Sequence, residues 1–258
     1  EMKKVMIFLM SAMLLSQVSA QLPDADQIMS KSRDLTIIGS MQATINLSIT
    51  EKNGAARNRT ISMTTKSFPD GLEKRFIRFI DPADVRGTSM LVVDNKVISD
   101  EIWIYLPALK KTRRIVSTEK GKSFMSSEFS NADMTSAPLS DFKISHMPES
   151  GKNDTWLIES VPVSEDKEDE YGYSRKITWL DKKDLKVKKI EFFNFDGELF
   201  KTIDIISTLP IAGKEGYIMT EMYVMNHNNG RSSRIKFDEI NTASVIPDNT
   251  FTVEALER

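Results

Sequence analysis

The chain has 258 residues, 40% of them hydrophobic and 28% charged, and a net charge of −2. This is the balance of an ordinary globular protein, with no basic excess to bind nucleic acid. The lack of cysteine excludes disulfides, thiolate metal sites, cysteine nucleophiles and a lipid-bearing cysteine, while two histidines, His146 and His227, are too few for a histidine-rich metal centre.

Met2-Lys3-Lys4, the apolar run Val5–Leu15 and the small-x-small pattern Val18-Ser19-Ala20 read as a cleaved signal peptide over residues 1–20. Glu1 reads as an extra residue ahead of the natural start. The apolar run is too short for about 30 Å of hydrocarbon. The expectation is an exported protein, periplasmic or secreted, in which residues 21–258 form a single domain.

After the leader, Asp24 is placed to cap a short helix over about 24–35. Met41–Thr50 then alternates without error, with Met41, Ala43, Ile45, Leu47 and Ile49 on one face and polar residues on the other. That period of two predicts a strand with one buried face. Asn53-Gly54 and Pro69-Asp70-Gly71 are turns, and 57–66 and 73–80 continue as strands. Further strands are predicted at 88–94, 101–106 and around Arg113, then at 155–163, 173–181, 185–195, 198–206, 217–227 and 231–240. Turn formers such as Asp196-Gly197 and Asn229-Gly230 separate them. Ser164–Tyr171, SEDKEDEY, reads as a solvated hairpin tip. The reading is a mainly β protein, a long antiparallel sheet expected to hold about 10–11 strands and to curl on itself.

Two strands carry apolar side chains on both faces. Ile102, Ile104 and Leu106 oppose Trp103 and Tyr105, and Tyr217, Met219, Tyr223 and Met225 oppose Ile218, Met222 and Val224. A sheet with one wet face alternates more cleanly, so something must cover both sides. A packed helix and a hydrophobic cavity for a lipid both satisfy that demand. The fourteen methionines suit the second, since methionine is flexible and polarisable.

No catalytic constellation is visible. Ser117-Thr118-Glu119-Lys120 matches S-x-x-K, but its companion motifs are missing, and no P-loop, G-x-S-x-G or H-E-x-x-H occurs. The reading is a protein that is not an enzyme and has no cofactor or metal.

The block Arg86-Gly87-Thr88, Trp103-Ile104-Tyr105-Leu106-Pro107, Arg113-Arg114-Ile115, Ser123–Asp133 and the closing Ile246-Pro247-Asp248-Asn249-Thr250-Phe251 resembles the LolA-like periplasmic outer-membrane lipoprotein-sorting family. Ser126-Ser127-Glu128-Phe129 departs from that family's G-S-D-F form by losing a glycine. The resemblance implies an incomplete antiparallel β-barrel with a few helices as a lid over its concave face. It implies a soluble carrier or chaperone that holds lipid or lipoprotein acyl chains in a hydrophobic cavity on the way to the outer membrane. An inner-membrane transporter and an outer-membrane acceptor would then be its partners, and it would act as a monomer. The alternative is a periplasmic sensor or scaffold using the same fold to bind a membrane protein. Expected at the cavity or lid contact are Met90, Leu91, Trp103, Tyr105, Phe124, Met125 and Phe129. Arg86, Arg113 and Arg114 are expected as a lid latch or headgroup contact. Arg113 and Arg114, being adjacent in a strand, must face opposite ways. The inward one needs a partner, with Glu128 and Asp133 as the candidates.

Overall fold

The computed structural model describes residues 22–95 and 97–258, so the expected leader over 1–20 lies outside the described residues. The strands are β1 (Ser40–Thr50), β2 (Ala56–Ser67), β3 (Glu73–Asp81), β4 (Ser89–Asp94), β5 (Glu101–Leu106), β6 (Lys111–Ile115), β7 (Phe142–His146), β8 (Thr155–Pro162), β9 (Arg175–Asp181), β10 (Val187–Phe193), β11 (Leu199–Pro210), β12 (Tyr217–Asn226) and β13 (Ser232–Asn241). Together these thirteen described strands form one antiparallel sheet in the order β6-β5-β4-β3-β2-β1-β13-β12-β11-β10-β9-β8-β7. Two up-and-down runs are joined where β1 pairs with β13.

The sheet curls but does not close, and its edges are β6 and β7, which are consecutive in the chain. Their connection, residues 116–141, therefore has to run from one edge to the other. It does so across the inner face as a strap of short turns, carrying Phe124 and Phe129 into the core. The inner face is apolar because the strands alternate: Met41, Ala43, Ile45, Leu47 and Ile49 of β1 are all buried. Burying an Ile, Leu or Met side chain contributes about 1.5–3 kcal/mol, so this face stabilises the fold substantially.

Helix α1 (Ala25–Asp34) starts at Asp24, whose Oδ1 accepts from the Asp26 and Gln27 amides at 2.8 and 3.2 Å. Its Ala25 and Ile28 pack on Trp156, Ile158 and Leu180, which covers the inner face at the β8–β9 end. The outer face of β3–β5 is covered differently. Ile246, Phe251 and Leu256 of the C-terminal segment lie on Leu91, with Phe76, Trp103 and Tyr105 around them. Arg78 on the same face donates to the Ala255 carbonyl.

Two segments differ from the sequence reading. Strand β7 was not expected, because FKISH is short and follows a polar stretch. SEDKEDEY is not a solvated tip: Glu165–Tyr171 is helix α3, with Glu170 and Tyr171 buried. Ser164 caps it, and Gly172 closes it at φ +78°. Its companion is helix α2 (Ser117–Lys120) at the start of the strap. Gly121 and Gly172 let the two backbones touch, since a Cβ on Gly121 would lie 2.9 Å from the Gly172 Cα. The buried Lys120–Glu170 pair at 2.6 Å locks the contact. Lys167 joins Glu170 to Asp141, both at 2.8 Å. Lys120 and Asp141 stand near the two ends of the strap, so α3 clamps both.

Candidate functional site

Between the inner face and its covers lies a cavity of about 590 Å³. Strands β1–β3 give it Met41, Ile45, Ile61, Met63 and Ile77, the strap gives Phe124, Phe129 and Met134, and β10–β13 give Ile190, Phe192, Ile203, Ile205, Met222 and Phe237. Arg33 of α1 and Tyr171 and Tyr173 complete the wall. The volume falls within the range typical of small-molecule sites, roughly 300–1,000 Å³. Among the described residues no His/Cys/Asp/Glu group is placed to hold a metal ion, and no helix is long and apolar enough to cross a membrane.

The strap is fixed over this cavity by polar contacts that β2, β3 and β11–β13 send inward. Arg59 donates to the Met125 carbonyl and Arg75 to the Met134 carbonyl. Glu128 pairs with Arg231 at 2.9 Å and accepts from Asn226 at 2.7 Å, while its amide donates to Ser233 Oγ. Asp133 pairs with Lys201 at 2.8 Å. Ser126 sits at φ +63°, in the left-handed region, where the G-S-D-F form would place its glycine. Arg231 holds that turn by donating to the Ser126 carbonyl.

Two largely shielded charge sets line the cavity. Arg75 pairs with Glu73 at 2.8 Å and Asp94 at 2.9 Å. Burial pushes the Asp94 carboxyl up to about 6 against the pull of Arg75. At Lys176 of β9, burial brings the ammonium down to about 8, only partly opposed by Asp133 and reinforced by Lys201.

A family model described as "-like: Uncharacterized protein" matches residues 71–258. The chain belongs to that family. No curated protein matches it. Among solved structures, an outer membrane lipoprotein-sorting protein domain from Vibrio parahaemolyticus is 24% identical, with a TM-score of 0.81 over 91% of this chain and 98% of that one. A DUF1329 family protein from Desulfovibrio piger is 25% identical, with a TM-score of 0.80 over 90% and 97%. A LolA superfamily protein from Nitrosomonas europaea is 16% identical, with a TM-score of 0.67 over 90% and 98%. The fold is thus LolA-like, as the sequence motifs imply.

Within this LolA-like fold the expected site residues separate into three groups. Phe124 and Phe129 line the cavity, and Met125 packs beside them in the strap. Met90 points inward but is sealed in the core at 0% exposure. Leu91, Trp103 and Tyr105 do not border the cavity: they face outward under the C-terminal segment. The two-sided pattern of β5 therefore has the plainer cause, a piece of the chain's own backbone packed on each side.

The arginines are also redistributed. Arg86 braces its own turn, donating to the Ile80 carbonyl at 3.0 Å and pairing with Asp81 at 2.5 Å. Arg113 and Arg114 do face opposite ways. Neither is buried, and neither meets Glu128 or Asp133. Arg113 pairs with Glu119 at 2.6 Å and Arg114 with Glu101 at 3.1 Å, with 43% and 48% of their side chains exposed. The expected partners are taken instead by Arg231 and Lys201. Exposed pairs of this kind contribute about 0–1 kcal/mol, because solvent screens them. The charged wall of the cavity, Arg33, Arg75 and Lys176, went unread in the sequence.

Proposed function

We propose that this protein is a periplasmic carrier that holds the acyl chains of a lipid or lipoprotein in the cavity between curled sheet and strap. The observation that carries the reading is the cavity itself, lined mainly by apolar side chains and roofed by a segment held through polar contacts. Acyl chains leave water at about 0.8 kcal/mol per CH₂, so one or two chains give tight capture without chemistry. The lipoprotein-sorting description of the Vibrio structure supports the same direction. No catalytic step is needed, and delivery requires only a partner that loosens the strap.

The test is uptake. Protein purified from a periplasmic extract, analysed by native mass spectrometry and lipid extraction, is expected to carry acyl-chain mass. Ile205→Trp fills the cavity from its wall. It is expected to weaken binding of a fluorescent fatty-acyl probe by at least about tenfold, equivalent to about 1.4 kcal/mol, with an unchanged thermal transition. An Ile205→Trp protein that binds the probe as tightly as wild type would sink the carrier reading.

A further inference from the structure

The charges of the cavity wall do not balance one another evenly. Each carboxylate on the wall is already paired: Glu73 and Asp94 with Arg75, and Asp133 with Lys201. The groups without protein partners can all donate, though the threonine hydroxyl can also accept. Arg33 Nε and Nη1 and Thr65 Oγ1 are buried with no hydrogen-bond partner. Among the described residues, Lys176 Nζ has neither an ion pair nor a hydrogen bond and stands over two aromatic rings. It lies 4.7 Å from the Phe142 ring centroid and 5.9 Å from that of Tyr173. A cation–π contact offsets part of the loss of water but supplies no acceptor for three N–H bonds.

The strand pattern explains how a lysine comes to be there. In β9, Lys176 and Thr178 line the cavity, while Trp179 lies on the other side with Lys189 over its ring. Lys176 thus occupies a cavity-facing position among largely apolar side chains. Its neighbours across the ladders are Ser160 of β8 and Phe192 of β10. The titratable groups that face it are Asp133 and Lys201, already paired, and Tyr171 and Tyr173. Both tyrosines stay protonated, because burial raises them. Counting Lys176, Lys201 and Asp133, this part of the cavity has one positive charge more than it can neutralise.

We propose that the cavity selects an acidic amphiphile, an acyl chain ending in an anionic head, and that Lys176 Nζ is the group that pairs with that head. The proposal rests on the carrier reading and narrows its cargo. The ammonium faces the cavity with no protein acceptor, so an incoming anion meets a partner already held in place by the strand. The remainder of the chain occupies the apolar wall made by Ile190, Ile203, Ile205 and Met222. A neutral chain of the same length gains the apolar contacts but leaves the ammonium unpaired.

The experiment compares dodecanoate, dodecyl phosphate and dodecanol binding to delipidated protein by calorimetry at pH 7. Wild type is expected to prefer at least one anionic probe over dodecanol by tenfold or more, and the stronger of the two shows whether carboxylate or phosphate is the head. Lys176→Met is expected to remove that preference while leaving dodecanol binding intact, and Lys176→Arg to retain it. Lys176→Gln repeats the comparison should the Met variant not fold. Equal binding of anionic and neutral probes by wild type, or a preference that survives Lys176→Met, overturns the proposal and leaves the carrier reading standing. No binding of any of the three probes by folded wild type overturns both. Above pH 8 the preference is expected to decline, because the ammonium then loses its proton.

Discussion

Replacing Arg75 with alanine is expected to lower the unfolding free energy by about 3–5 kcal/mol, the usual cost of stranding buried charges. The side chains of Arg75, Glu73 and Asp94 are only 19%, 16% and 6% exposed. Removing the guanidinium leaves two carboxylates facing each other beside an apolar cavity. It also frees the Met134 carbonyl, loosening the strap near its C-terminal half. Urea denaturation at pH 7 measures the loss. Adding Glu73→Gln and Asp94→Asn to Arg75→Met should recover most of it, because no charge is then stranded. A loss below about 1 kcal/mol would mean that water reaches the cluster and that it behaves as a surface pair.

The same cluster sets a pH dependence. Asp94 is pushed up to about 6 from the ordinary aspartate value of 3.8, chiefly by burial. A carboxyl whose folded value is raised binds its proton more tightly when folded. Its favourable contribution is present below the unfolded value and is lost as pH rises through 6. At about 1.36 kcal/mol per unit, that is about 3 kcal/mol between pH 3.8 and 6. Asp100, also raised by burial, acts in the same direction. The expected result is a wild-type stability that falls from pH 4 to pH 6.5 more steeply than that of Asp94→Asn. Parallel curves for the two proteins would remove Asp94 from the account.

What the sequence made legible is what local rules govern. The unbroken alternation of Met41–Thr50 marks β1 as a strand with one face buried. Turn formers bound most strands within a residue or two. What stayed hidden depends on partners far away in the chain. Glu170 is buried because Lys120, fifty residues earlier, meets it, and nothing in SEDKEDEY signals that. Trp103 and Tyr105 looked like cavity residues because the cover over their face comes from Ile246–Leu256, at the other end of the chain. Lys176 left no readable trace, because in β9 the apolar Ile177 and Trp179 alternate on the opposite face. A lysine in a strand is most often a solvated edge, and only the curl of the sheet turns this one inward.

The second large effect is expected at the strap. Phe124 and Phe129 are 1% and 2% exposed, and Phe124 packs 6.0 Å from the Phe79 ring. Truncating a buried phenylalanine to alanine costs about 3–5 kcal/mol, with the larger values where the site cannot collapse onto the gap. Both rings border an existing cavity, and the opposite wall is a hydrogen-bonded sheet, so collapse is restricted. Phe124→Ala should therefore fall at the upper end, read as a lower urea midpoint with an unchanged slope. The carrier reading adds a second expectation. The lost ring volume joins the cavity, and a bound acyl chain can fill it. A ligand at 100 times its dissociation constant stabilises by about 2.7 kcal/mol. At equal free concentration a dodecyl ligand should raise the melting temperature of Phe124→Ala by at least as much as that of wild type. If the variant is destabilised as expected but gains nothing from ligand, the strap is a structural cover and the acyl chain lies elsewhere.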